Sequence, residues 1–184
     1  MIILKNKRQK GFTLTEILLV LVIAATIAIS AFIIYTKVKV SQRVDTEVKN
    51  LTIIRAGIKY LYSSSPNYKG VNNEVVLKSN LFPDTMLIGE GDERKVLNIF
   101  KGNVEISDIA IGSAGRTHAT FSITYYGVPS AECIRLFQAF RPPSYTYGIQ
   151  INRVGISDGL TSSPVSAVNR CNSTSSNRMT FVFD

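Results

Sequence analysis

Charge is what the early part of this chain lacks. From Phe12 to Tyr35 about 24 residues pass without Lys, Arg or Asp, and only Glu16 is charged. About 20 apolar residues rising ~1.5 Å each cross a bilayer core, so the stretch is long enough to span one. Soft metal ligands are scarce as well. Two cysteines and one histidine are too few for a zinc site. There is no phosphate-cradling glycine loop, no two-histidine metal motif and no convincing carboxylate pair. Beyond the first ten residues no Lys/Arg block is interleaved with aromatics, which leaves nucleic-acid binding with weak support, and no nucleic-acid partner is expected. The motifs that remain are poor ones. Gly155-Ile156-Ser157-Asp158-Gly159 spells a nucleophile elbow, but His118 precedes it, and Thr161-Ser162-Ser163-Pro164 stands where a helix is needed. We read it as a surface turn, and His118 as a sheet or loop residue. Asn172-Ser173-Thr174 is a glycosylation-type triplet of a kind common by chance, and Gly89-Glu90-Gly91-Asp92-Glu93 lacks the alternating oxygen ligands of a calcium loop. No enzymatic activity and no cofactor are expected.

What is present begins with the awkward glutamate. A carboxylate near the start of a membrane span costs a few kcal/mol on insertion scales, so it calls for a functional partner rather than simple snorkelling. Before the span lie Lys5, Lys7, Arg8 and Lys10 with no acid, which holds that end in the cytoplasm and puts the rest outside. A secretory signal carries its small-residue cleavage site after the apolar run. Here Gly11 stands before it, so a cut after Gly11 removes the basic leader and leaves the apolar helix on the mature chain. The formal net charge of +8 then falls to +4 once the leader's four cations are gone.

In the order basic leader, glycine, aromatic, glutamate and uninterrupted span, Lys10-Gly11-Phe12-Thr13-Leu14-Thr15-Glu16 resembles the prepilin peptidase site of type IV pilins and related pseudopilins. The resemblance implies cleavage between Gly11 and Phe12 by an inner-membrane aspartyl peptidase and N-methylation of Phe12. Glu16 becomes the fifth residue of the mature chain.

Past Tyr35 the pattern turns amphipathic. Val40, Val44, Val48, Leu51, Ile54, Ile58 and Leu61 recur at steps of three and four, one helical stripe, while Lys39, Arg43, Asp45, Lys49, Arg55 and Lys59 fill much of the remaining surface. Ser63-Ser64-Ser65-Pro66-Asn67 stops the helix. A single helix from Phe12 to about Ser63 would be roughly 75–80 Å long. The remaining ~120 residues are enough to bury a core. A loop-rich passage from Pro66 to Pro83 holds a short helix at Glu74 to Ser79, and a turn-like passage runs from Asn80 to Met86. Strands are expected at Val104 to Ile109, Ala119 to Tyr125, Thr146 to Arg153 and Met179 to Phe183. A helix from Pro129 to Phe140 is expected between the second and third of these. It carries Cys133, Leu136, Phe137 and Phe140 on one face, with Pro129 at its first position. The fold class is α+β.

Cys133 and Cys171 both fall in the part expected outside the cytoplasm. They read either as one disulfide closing a loop of about 39 residues, worth roughly 3–4 kcal/mol, or as two unpaired core thiols. Asn98 to Val104, Phe121 to Thr124 and Val128 to Cys133 with Leu136 behind it are similar to the head of type IVb pilins, the group of toxin-coregulated, bundle-forming and conjugative thin-pilus pilins. That resemblance implies a Cys133–Cys171 disulfide bounding the D-region. The short leader and Phe12 as first mature residue are closer to type IVa.

The organisation expected is a leader at 1–11, a transmembrane and filament-core half-helix at 12–35, an amphipathic half-helix at 36–63 and a pilin head at 64–184. The family implies a homo-oligomeric surface filament, with the prepilin peptidase, the inner-membrane assembly machinery and, before assembly, the membrane itself as partners. Freed by cleavage, the Phe12 amine of one subunit can pair with Glu16 of a neighbour and set the stagger of the bundle. A minor pilin or secretion pseudopilin shares the first helix. A single-pass membrane sensor or enzyme would keep residues 1–11.

Overall fold

A computed structural model describes residues 11, 13–91, 94–109, 117–140, 148–156, 164–172, 174 and 176–184. Helix α1 (Leu14–Leu61) is uninterrupted, and the chain divides into two compact units, Met1–Lys39 and Val40–Asp184. The division falls inside the helix. In the first unit every described side chain from Thr13 to Lys39 is exposed.

In the second unit α1 contributes Val44, Leu51, Ile54 and Ile58 to the core, as the stripe requires, while Leu61 ends the stripe 42% exposed. Helix α2 (Asn73–Lys78) matches the expected short helix. Asn72 caps it by accepting the N–H of Val75 on its Oδ1 at 2.9 Å. A 3-10 turn at Asp84–Met86 leads into strand β1 (Leu87–Ile88), which pairs with β2 (Lys95–Val96). The turn-like reading of Asn80 to Met86 holds, but no strand was expected at either side of this hairpin, since strands of two residues carry no readable period.

The main sheet is antiparallel in the order β3 (Val104–Ile109), β4 (Thr120–Val128), β7 (Asn177–Phe183), β5 (Gly148–Ile151), β6 (Val154–Ile156). Its registers set Ile106 opposite Ile123, Ile123 opposite Phe181, and Phe181 opposite Ile149. All four are buried on one face and join the α1 stripe in a single core. The other face is hydroxyl-rich: Ser107 pairs with Ser122 and Thr124 with Thr180, each at 3.0 Å.

Three local expectations are corrected. The strand expected at Thr146 to Arg153 ends at Ile151, because Asn152 (φ 52°) and Arg153 (φ 68°) take the left-handed conformations of a tight hairpin turn into β6. Thr146 and Tyr147 lie outside the described residues. Pro129 is the extended cap of α3 (Ser130–Ala139), with ψ 156°, rather than its first helical residue. Finally, a helix does follow the nucleophile-elbow sequence: α4 (Pro164–Arg170), with the proline opening it where a missing N–H costs nothing. The core residues of the elbow, Ser157 to Gly159, lie outside the described residues.

Candidate assembly surface and its anchors

The described side chains of the first unit from Thr13 to Lys39 are exposed. Residues 14–39 rise about 39 Å, more than the ~30 Å of a hydrocarbon core, and the helix is long and apolar enough to cross a membrane. Two of its hydroxyls bond the helix's own backbone. Thr26 Oγ1 donates to the Ile23 carbonyl at 2.8 Å and Ser30 Oγ to that of Thr26 at 2.9 Å, so neither presents an unpaired polar group to an apolar neighbour. Near the far end of the run the Lys39 ammonium lies 4.8 Å from the Tyr35 ring centre, the aromatic-and-cation pairing suited to a membrane interface.

At the other end, Thr13 is the helix cap. Its carbonyl accepts the N–H groups of Glu16 at 3.1 Å and Ile17 at 3.2 Å, and its Oγ1 lies 3.4 Å from the Glu16 nitrogen. The sequence signal was present: Thr13-Leu14-Thr15-Glu16 has the Thr-x-x-Glu spacing of a capping box. Glu16 therefore sits in the first turn, where the helix dipole favours a carboxylate. Its side chain is exposed, as is Gly11. Phe12, the expected cleavage, methylation and pairing residue, lies outside the described residues.

The head is tied together by two devices. Cys133 of α3 and Cys171, just after α4, form a disulfide with a sequence separation of 38. Around it Ser130 Oγ donates to the Cys171 carbonyl at 2.5 Å. Asn152 Nδ2 donates to the Arg170 carbonyl at 2.8 Å, and its Oδ1 accepts the Arg178 N–H at 3.0 Å. The fully buried Asn177 hands its Nδ2 to the Val128 carbonyl at 3.0 Å. Asn152 thus ties the disulfide loop to β7, and Asn177 ties β7 to β4, through asparagines that no periodicity marks.

The second device is loop 97–103. Asn98 Oδ1 accepts the N–H groups of Phe100 at 3.0 Å and Gly102 at 2.9 Å, while its Nδ2 donates to the Tyr126 carbonyl at 2.7 Å. A Cβ at Gly102 would fall 1.7 Å from that same carbonyl oxygen, so only glycine fits there. The folded loop presents the Ile99 N–H to Oε1 of Glu47, a residue of α1 buried to 0% exposure that the stripe reading passed over. Burial pushes the Glu47 carboxyl above its ordinary range, against the lowering effect of its hydrogen bonds from Ile99, Tyr125 and Asn50. One turn earlier Arg43 reaches the buried Glu132 of α3 at 3.6 Å. His118, in the turn before β4, sets Nδ1 2.6 Å from Asp108 Oδ2.

Comparison with known proteins fits this geometry. Residues 6–32 match the family model described as a prokaryotic N-terminal methylation motif, and residues 41–184 the one described as PilS N terminal. The major structural subunit of bundle-forming pilus of Escherichia coli O127:H6 is 24% identical over 135 residues, 73% of this chain and 66% of the relative. The chain thus spans slightly less than two thirds of that relative's length. The corresponding subunit of Escherichia coli O111:H- matches equally. The type IV b pilin of Salmonella typhi superposes with a TM-score of 0.59 at 18% identity, covering 76% of this chain and 99% of that one. TcpA, a type IV pilin of Vibrio cholerae El Tor, does so with a TM-score of 0.50 at 16% identity, covering 78% and 99%. At these identities the likeness to the solved structures is one of fold.

Proposed function

This chain belongs to the family described as PilS N terminal and has the type IVb-like pilin fold; on that premise we propose that it is the structural subunit of a type IV pilus. The observation that carries the proposal is the uncovered apolar half of α1, joined to a methylation-motif match over residues 6–32. A surface of that length and polarity is stable only against lipid or against copies of itself. Before assembly the chain sits in the inner membrane as a single-pass protein with its head outside the cytoplasm. After assembly it is part of an extracellular filament serving adhesion, aggregation or conjugative contact.

Prepilin peptidase cuts between Gly11 and Phe12, the Phe12 amine is methylated, and the inner-membrane pilus machinery draws the apolar helices into a bundle. In that bundle Glu16, carried outward on the first turn, meets the Phe12 amine of a neighbouring copy. Two charges that are each costly in an apolar core satisfy one another in a single stagger, and removing one strands the other at a cost on the order of 3–5 kcal/mol. Exposure of Glu16 in the isolated chain supports this role, because it leaves the carboxylate available to another chain.

Mass spectrometry of the mature N-terminus, run on sheared surface filaments, tests the reading. The expected product begins with a methylated Phe12 and is the dominant filament protein; a chain retaining residues 1–11, or absent from filaments, overturns it. Gly11→Ala should block trimming, and Glu16→Leu should leave a trimmed membrane protein that enters filaments poorly. Normal trimming of the first or wild-type assembly of the second would refute the corresponding assignment.

A further inference from the structure

Glu47 has no part in the assembly reading, and its surroundings are unusual for a carboxylate. Both Glu47 and Tyr125 are fully buried. Among the described residues no cation pairs with Glu47: Arg43, one turn back on α1, faces Glu132 of α3, and Lys101 of the loop is exposed. Its neighbours are neutral donors. The Ile99 N–H points at Oε1, and Asn50 Nδ2 lies 3.5 Å from Oε2. The titratable group that faces it is Tyr125 of β4, whose hydroxyl hydrogen-bonds the same carboxyl.

A carboxylate in such a place is desolvated without an ion partner. A carboxylic acid suits the place better. Its carbonyl oxygen still accepts the Ile99 N–H, and its hydroxyl can donate to Tyr125 Oη, the hydroxyl already paired with it. Meanwhile loop 97–103 is a unit folded on its own hydrogen bonds through Asn98, and the bond from Ile99 to Glu47 ties its tip to α1.

We propose that Glu47 is a proton-operated latch: taking a proton from solvent closes loop 97–103 onto α1, and releasing it loosens the loop. With the loop lifted, Glu47 meets water and titrates in the ordinary carboxylate range. With the loop closed, burial holds the proton more tightly. The closed form is therefore favoured in mild acid, and that advantage is lost as pH rises from the ordinary range through the raised value.

Amide hydrogen exchange on the full chain in detergent micelles tests this, with residues 97–103 read against the paired amides of β4 and β7. In the unaltered protein, after correction for intrinsic exchange rates, protection of the Ile99 amide should fall several-fold from about pH 4 to about pH 8, while the β4–β7 amides stay level. Glu47→Gln keeps an acceptor for Ile99 and a donor for Tyr125 but cannot titrate, so its loop protection should be high and flat. Level protection of the loop in the unaltered protein overturns the latch. So does a fall shared equally by β4 and β7, or a slope that survives in the glutamine variant. The measurement on the unaltered chain decides by itself if the variant does not fold.

Discussion

The two halves of α1 share one continuous backbone and opposite surroundings. From Leu14 to Lys39 no described side chain is buried, although most are apolar; from Val44 to Ile58 a stripe is buried, and it includes an acid. The contrast is sharpest in two glutamates. Glu16 lies in the apolar half and is exposed, whereas Glu47 lies in the amphipathic half and is buried. Apolar surroundings in sequence and burial in space are thus different things. The first half is apolar because of what must cover it from outside the chain. The second half buries what its own chain brings to it.

The comparison can be broken most forcefully by cutting one isoleucine from each half. Ile54 is at 0% exposure and Ile27 at 64%. Ile54→Ala should lower unfolding stability by about 4 kcal/mol, counting lost transfer energy and cavity, while Ile27→Ala should change it by less than ~0.5 kcal/mol. Denaturant titration of both variants in detergent reads the difference, and equal costs would mean that the halves are not distinct. Replacing Cys133 and Cys171 together by serine should cost roughly 3–4 kcal/mol by the loop-entropy model. That loss would appear as an earlier denaturation midpoint with the helicity of the first half retained. Gly102→Ala forces a methyl against the Tyr126 carbonyl and should cost about 2 kcal/mol, confined to the head. The smallest loss expected within the second unit concerns Arg43. Arg43→Ala leaves Glu132 without its partner, but Arg43 is about half exposed, so screening limits the loss to about 1 kcal/mol. A loss several times larger would mean that α1 and α3 are held together within the second unit mainly by that pair.

Much of the architecture was legible because it repeats. A stripe at steps of three and four and strands alternating at period two are physical periods of helix and sheet, and the α1 stripe and β3 emerged where those periods placed them. The elements missed are those without a period: the hairpin of β1 and β2, the break at Asn152 and Arg153, and α4, hidden behind a serine-rich stretch. On the candidate surface the Thr13 cap could have been found from its spacing to Glu16. The asparagines at 98, 152 and 177 could not, since each bonds backbone groups that only the fold brings near.

By itself, then, the order of residues determined the apolar run, the motif before it, the stripe behind it and the alternation of the strands. These are local properties, written in consecutive residues and enforced by backbone geometry. Tertiary structure decided which carboxylate is buried, which carbonyl excludes a Cβ at Gly102, and how the disulfide loop is laced to the sheet. Those outcomes depend on groups far apart in the chain, such as Glu47 and Ile99, whose meeting is set by the packing of the core as a whole.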